Sequence, residues 1–223
     1  MISDLLKAFN ELLNPKFRVV ILRTLVLSSF LLLILAVGSW YLLNITKIFN
    51  WSWLEFTVDS VGWLLALVAG FILFPGIVVF VMSFNLDPVI FAVEKKHYAD
   101  LGPARKQTIF EVLFSSIRYT GIVLIVNLFL IPIYFIPILN FIFFGLVNGY
   151  LIGREYYELL APRRLERGAV KLIQKRFKFR LWFAGIIISY LFVIPVLNFV
   201  MPIIGVTFML HIFEKCRREY ERA

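Results

Sequence analysis

The chain has 223 residues; 61% are hydrophobic, 24 are phenylalanine, and 23 Lys and Arg against 14 Asp and Glu give a formal charge of +9. An apolar share this far above the usual half of a globular domain excludes an ordinary soluble fold and predicts an all-α integral membrane protein. The cations lie in short segments between long apolar runs, which reads as membrane topology with no nucleic-acid partner, and the single Cys216 excludes an intramolecular disulfide and a Cys-based metal site.

Residues 1–13 place Ile2, Leu5, Leu6, Phe9, Leu12 and Leu13 at helical spacing, with Asp4, Lys7, Asn10 and Glu11 opposite. This pattern predicts an amphipathic helix lying on the membrane surface. No short apolar core with a small-residue cleavage site is present, so it does not read as a signal peptide.

Asn14-Pro15-Lys16-Phe17-Arg18 combines an N-cap residue, a proline at the first helical position and two cations before a long apolar run. A helix is expected to start here. Its free N–H groups and positive dipole end attract anions, and Lys16 and Arg18 add full charges beside them. Two readings stand: ordinary positive-inside anchors, or an oxyanion site.

The first long transmembrane helix is expected over 14–45, with Arg23 snorkelling to the headgroups or facing protein. The second is expected over 56–97, bent near Pro75-Gly76. The loop between them carries the belt residues Trp51 and Trp53, with few charges. Its Asn-x-Ser/Thr triplets at Asn44 and Asn50 are weak signals, because chance matches are common. His97 reads as a solvated loop residue and His211 as an isolated residue on the last apolar helix.

Ile136-Pro137-Ile138-Leu139-Asn140-Phe141 returns as Ile194-Pro195-Val196-Leu197-Asn198-Phe199, each copy in the middle of an apolar run. Proline breaks a helix interior, and asparagine three residues on is a good N-cap for a restart. Each copy is therefore expected to tip a helical hairpin, over 107–160 and 179–220, separated by a basic segment at 163–178. Residues 153–180 hold nine Lys and Arg against three Glu. Single crossings would put this segment opposite the other basic loops. Hairpins that enter and return, with arms of roughly 20–24 Å, keep the basic segments and both termini on one side, expected to be cytoplasmic.

Broken tips and polar side chains at membrane depth must be buried in protein or line a wet cavity. Asn127, Asn140, Asn148 and Asn198 are thus expected to join helices or to line a tip or pore. Gly145, Gly149 and Gly153 let two helices approach closely, within a subunit or between subunits. Glu155 and Glu158 share a helix face and have Arg154, Arg163 and Arg164 as ion-pair partners.

The run Asn148-Gly149-Tyr150-Leu151-Ile152-Gly153-Arg154-Glu155-Tyr156-Tyr157-Glu158, with the Ile194–Phe199 segment continuing to His211, resembles the EI24/CysZ family of membrane proteins. Pro15-Lys16-Phe17-Arg18 and Val93-Glu94-Lys95-Lys96-His97-Tyr98 are also similar to that family, so the resemblance covers nearly the whole chain as one domain, 1–223. It implies a sulfate permease of the bacterial inner membrane that supplies cysteine synthesis. It also implies two long transmembrane helices, two partly inserted hairpins and a homo-oligomer. In the family's transporters the first long helix begins with a Pro-Gly-Leu-Arg segment implicated in sulfate binding. The matching positions are Pro15, Lys16, Phe17 and Arg18, so the arginine is kept and the glycine is replaced by Lys16.

The expected function is a permease for sulfate or a related oxyanion, with Lys16, Phe17 and Arg18 as the binding residues and the bilayer as its setting. The alternative is a non-transporting, membrane-organising protein of the same family. No catalytic residue, metal or cofactor is expected, since G-x-x-x-x-G-K-[ST], H-E-x-x-H and G-x-S-x-G are all missing from the sequence.

Overall fold

The computed structural model describes residues 1–46, 70, 73–74, 77–79, 81–82, 85–102, 104–105, 121–122, 125–130, 133 and 135–222, and among these every regular element is helical. Trp51, Trp53, the Asn50 triplet, the Pro75-Gly76 bend, half of the expected second long helix and the 107–120 arm of the expected first hairpin lie outside the described residues. The chain divides into two compact units, one of residues 14–87 and one of residues 1–13 with 88–223.

The first unit is dominated by α2 (Pro15–Thr46), which follows α1 (Ile2–Glu11) and starts with proline at its first position. Its 32 residues extend about 48 Å at ~1.5 Å per residue, more than a ~30 Å hydrocarbon layer requires. The stretch Phe17–Gly38 is long and apolar enough to cross a membrane, and only 11% of it is buried. A soluble core helix of this composition would be enclosed; here Leu22, Val26, Phe30, Leu33 and Val37 all face outward, as a lipid-facing surface requires. Thr24 and Ser28 form a buried small-polar stripe on the same helix, and the Thr24 hydroxyl donates to Met82 Sδ at 3.5 Å.

Helix α3 (Leu86–His97) carries Asp87 in its first turn and Lys95, Lys96 and His97 in its last, the arrangement its dipole favours. The second unit then follows from the two proline breaks. One continuous rod comprises α4 (Pro137–Phe143), a π-helical turn (Phe144–Asn148), α5 (Gly149–Leu160) and a final 3₁₀ turn (Ala161–Arg163). At 27 residues, Pro137–Arg163 is the second segment long and apolar enough to span a bilayer. The remaining elements are α6 (Arg167–Arg176), α7 (Lys178–Phe192), α8 (Pro195–Asn198) and α9 (Met201–Glu221).

Both breaks fall where the repeated proline puts them, but the asparagines do not cap the restarting helices. Ile136 and Ile194, in extended backbone, are the N-caps, and Pro137 and Pro195 take the first helical positions. Proline suits that position because its missing N–H would have had no intrahelical partner and its φ is already helical. Asn140 therefore lies inside α4 and Asn198 ends the one-turn α8, after which Val200 caps α9.

The core of this unit is made by α5, α7 and α9, which pack on one another. Residues Met201 to Glu214 of α9 are buried without interruption. Gly149 and Gly153 on α5 face Gly185 on α7 so closely that a Cβ on Gly185 would lie 2.6 Å from the Gly153 amide nitrogen. Only glycine allows the two backbones this approach. Two α7 side chains reach across to carbonyls of the rod: Trp182 Nε1 donates to Leu146 at 2.7 Å, in the π turn, and the Tyr190 hydroxyl to Phe141 at 3.0 Å.

Candidate functional site

At the start of α2, the Asn14 carbonyl accepts the Phe17 N–H at 3.0 Å and the Arg18 N–H at 3.2 Å. Pro15 has no N–H to offer. The first turn therefore presents fewer free backbone donors than its sequence suggests, because the carbonyl at an N-cap begins the helical ladder. Phe17 is buried, whereas Arg18 is exposed. The exposed Arg18 guanidinium brings a full positive charge to this end, with the positive dipole end of the helix beneath it.

The four asparagines belong to the other unit and lie on different segments: Asn127 in a helical stretch at 125–130, Asn140 in α4, Asn148 in the π turn and Asn198 in α8. All four are half-buried. Gly145 sits under the Tyr190 ring, and Gly149 and Gly153 against α7, inside one chain. Glu158 pairs with Arg154 at 2.7 Å, while Arg164 turns instead to Glu94.

A second polar cluster, within the unit of residues 1–13 and 88–223, was not legible as a site. Helix α1 packs on α9 through Asp4, Ala8 and Glu11, leaving Ile2, Leu6 and Leu13 exposed. Its acidic face points into the protein and its apolar edge outward, the orientation that suits a helix resting on lipid. Glu11 is 2% exposed, and its Oε1 accepts from Lys96 Nζ at 2.7 Å and His97 Nε2 at 2.6 Å. Lys215 Nζ donates to both oxygens of Asp4, at 2.6 and 2.8 Å.

His97 is thus the last residue of a helix, bound to a buried carboxylate, and the expectation of a solvated loop residue is corrected. His211 is not isolated either. Its ring meets that of His97 edge-on at 5.1 Å, and its Nδ1 lies 2.7 Å from the Tyr98 hydroxyl. Beside them, Arg164 grips Glu94 with a fork, Nε to Oε1 at 3.1 Å and Nη2 to Oε2 at 2.5 Å, and also donates to the Gly102 carbonyl.

Burial alone would raise the Asp4 and Glu11 carboxyls, but hydrogen bonds from Lys215 to Asp4, and from His97 and Lys96 to Glu11, outweigh it and hold both below their ordinary values. Burial pushes the Tyr98 hydroxyl well above its ordinary range, with the nearby Glu214 and Asp4 charges adding to it. These groups remain charged carboxylates and a neutral phenol at neutral pH, so the cluster works as a clamp joining α1, α3 and α9. Among the described residues no group of His, Cys, Asp and Glu could hold a metal ion.

A family model described as EI24, sulfate transporter CysZ/etoposide-induced protein 2.4, matches residues 4–202 of the chain. No curated protein matches it.

Proposed function

Because the chain belongs to the EI24 family of membrane proteins, we propose that it is a permease for sulfate or a related oxyanion, operating in the inner membrane as a homo-oligomer and feeding cysteine synthesis. The observation that carries this reading is the exposed Arg18 in the first turn of α2, at the end of a long helix whose apolar surface is turned outward. It stands where the resemblance puts the arginine of the Pro-Gly-Leu-Arg segment of the family's transporters, and the family description includes a sulfate transporter.

An exposed guanidinium suits this role. It offers planar donors to an oxyanion, yet in high dielectric one such charge contributes only about 1 kcal/mol, so the anion is captured and released readily. Conduction needs that balance between entering and leaving. Lys16 replaces a glycine at the approach to the anion and adds a second cation there, and Phe17 shapes the site from its buried position. The half-buried asparagines of the hairpin segments offer polar groups for the route onward. Transport proceeds without nucleotide hydrolysis.

The test is uptake of radiolabelled sulfate into liposomes holding the purified protein, compared with empty liposomes. Saturable uptake inhibited by unlabelled sulfate supports the reading. Uptake equal to that of empty liposomes, by folded and reconstituted protein, rejects it and favours the non-transporting, membrane-organising role.

A further inference from the structure

A groove of about 680 Å³ opens where the ends of α7 and α9 remote from the proline break meet α1 and the end of α6. Its volume lies in the ~300–1,000 Å³ range of small-molecule sites. Five cations line it, Arg176, Arg180, Lys215, Arg218 and Arg222, against the two carboxylates Asp4 and Glu219. Three of the five are committed: Lys215 to Asp4 at 2.6 Å, Arg180 to Glu219 at 2.7 Å, and Arg218 to Asp100 at 2.8 Å. Among the described residues Arg176 and Arg222 make no ion pair, so two guanidiniums are left for a ligand.

The surroundings identify the ligand's class. Just past Arg176, at the start of α7, stand Phe179 and Phe183, 59% and 57% exposed, with Lys178 Nζ 5.0 Å from the Phe179 ring centre. Exposed aromatics below a row of Arg and Lys form the pattern of a membrane interface, the rings at acyl depth and the cations at the headgroups. Ile2 and Leu6 of α1 are exposed apolar residues as well. A soluble phosphate compound would use the cations alone; a phospholipid uses both. Basic pockets between helices at a membrane surface recognise anionic headgroups by this combination of charge and position.

We propose that this groove binds the phosphate headgroup of an anionic phospholipid, with Arg176 and Arg222 as the ligating guanidiniums and Phe179 and Phe183 against its acyl chain. The site is independent of the transported anion and uses none of Lys16, Phe17 or Arg18. Guanidinium forks bind phosphate oxygens in a bidentate manner, which ties the end of α6 to the end of α9 through the lipid.

Native mass spectrometry of the delipidated full chain, titrated with phosphatidylglycerol or phosphatidylcholine, tests the assignment. Wild type should bind phosphatidylglycerol at least tenfold more tightly than phosphatidylcholine. The Arg176→Gln/Arg222→Gln variant, which breaks no ion pair, should lose roughly thirtyfold of the phosphatidylglycerol affinity, about 1 kcal/mol per cation at the surface. The single variants and an unchanged circular dichroism spectrum show whether the fold is kept. Glycerol phosphate should compete weakly. Equal binding of the two lipids, undiminished binding by a folded double variant, or glycerol phosphate binding as tightly as phosphatidylglycerol would each overturn the proposal.

Discussion

Glu11 of the first helix accepts a 2.6 Å hydrogen bond from His97, 86 residues along the chain at the end of α3. With Lys96 on the same oxygen and Lys215 on Asp4, one face of α1 is held by charge-assisted bonds on α3 and α9. Replacing Glu11 by Gln keeps the shape and removes the charge. Hydrogen bonds to charged groups contribute roughly 1.5–3 kcal/mol, and E11Q should lose about that much. Thermal unfolding in detergent measures the loss, and faster amide exchange confined to α1 would locate it.

The same contacts set an acid limit. Asp4 and Glu11 have folded values below their ordinary 3.8 and 4.5, so their contribution is fully present above those values and is lost as pH falls through the lower, folded ones. The melting temperature should be flat on this account from pH 7 to about 5 and drop below about pH 4. The D4N/E11Q double variant, already without these charges, should show a shallower drop.

Glu94 and Arg164 form an enclosed ion pair, their side chains 5% and 10% exposed. Removing one partner strands the other charge out of water, which costs about 3–5 kcal/mol, whereas replacing both with apolar residues of similar volume is far milder. Arg164→Met alone should therefore destabilise more than Glu94→Leu with Arg164→Met together. Denaturation midpoints of wild type, of each single variant and of the double variant decide this; a double variant that loses the sum of the single losses would show the pair to be uncoupled.

Helices α5 and α7 touch at backbone distance around Gly185. Leucine there has no space that a rotamer change could open, because the nearest atoms are the backbone of Gly149 and Gly153. G185L should cost about 3 kcal/mol or prevent folding, the upper range for overfilled contacts. Gly168, with open space around its position, should accept alanine without loss. Expression level and melting temperature of the two variants make the comparison.

The helical class, the start of α2 at Pro15 and both proline breaks were legible because each rests on local chemistry: long apolar runs, and a residue that cannot donate. The cap positions at Asn140 and Asn198 were misread because proline itself supplies a favourable first helical position, leaving asparagine no cap to fill. His97 and His211 looked solitary because ligand spacing is a local signal, and their meeting depends on α3 and α9 packing side by side. Asp4 and Glu11 did carry a signal, two acids a helical repeat apart on one face. Amphipathicity alone sends that face to water. The cations that draw it inward, Lys96 and Lys215, are far along the sequence.

Sulfate binding at Arg18 is the central claim, and calorimetry on the purified wild type and the Arg18→Ala variant, with phosphate and chloride as competitors, tests it most directly. Wild type should bind sulfate saturably and weakly, and the variant should lose at least tenfold in affinity, with folding unchanged because Arg18 is exposed. A folded Arg18→Ala variant that binds sulfate as wild type does would contradict it.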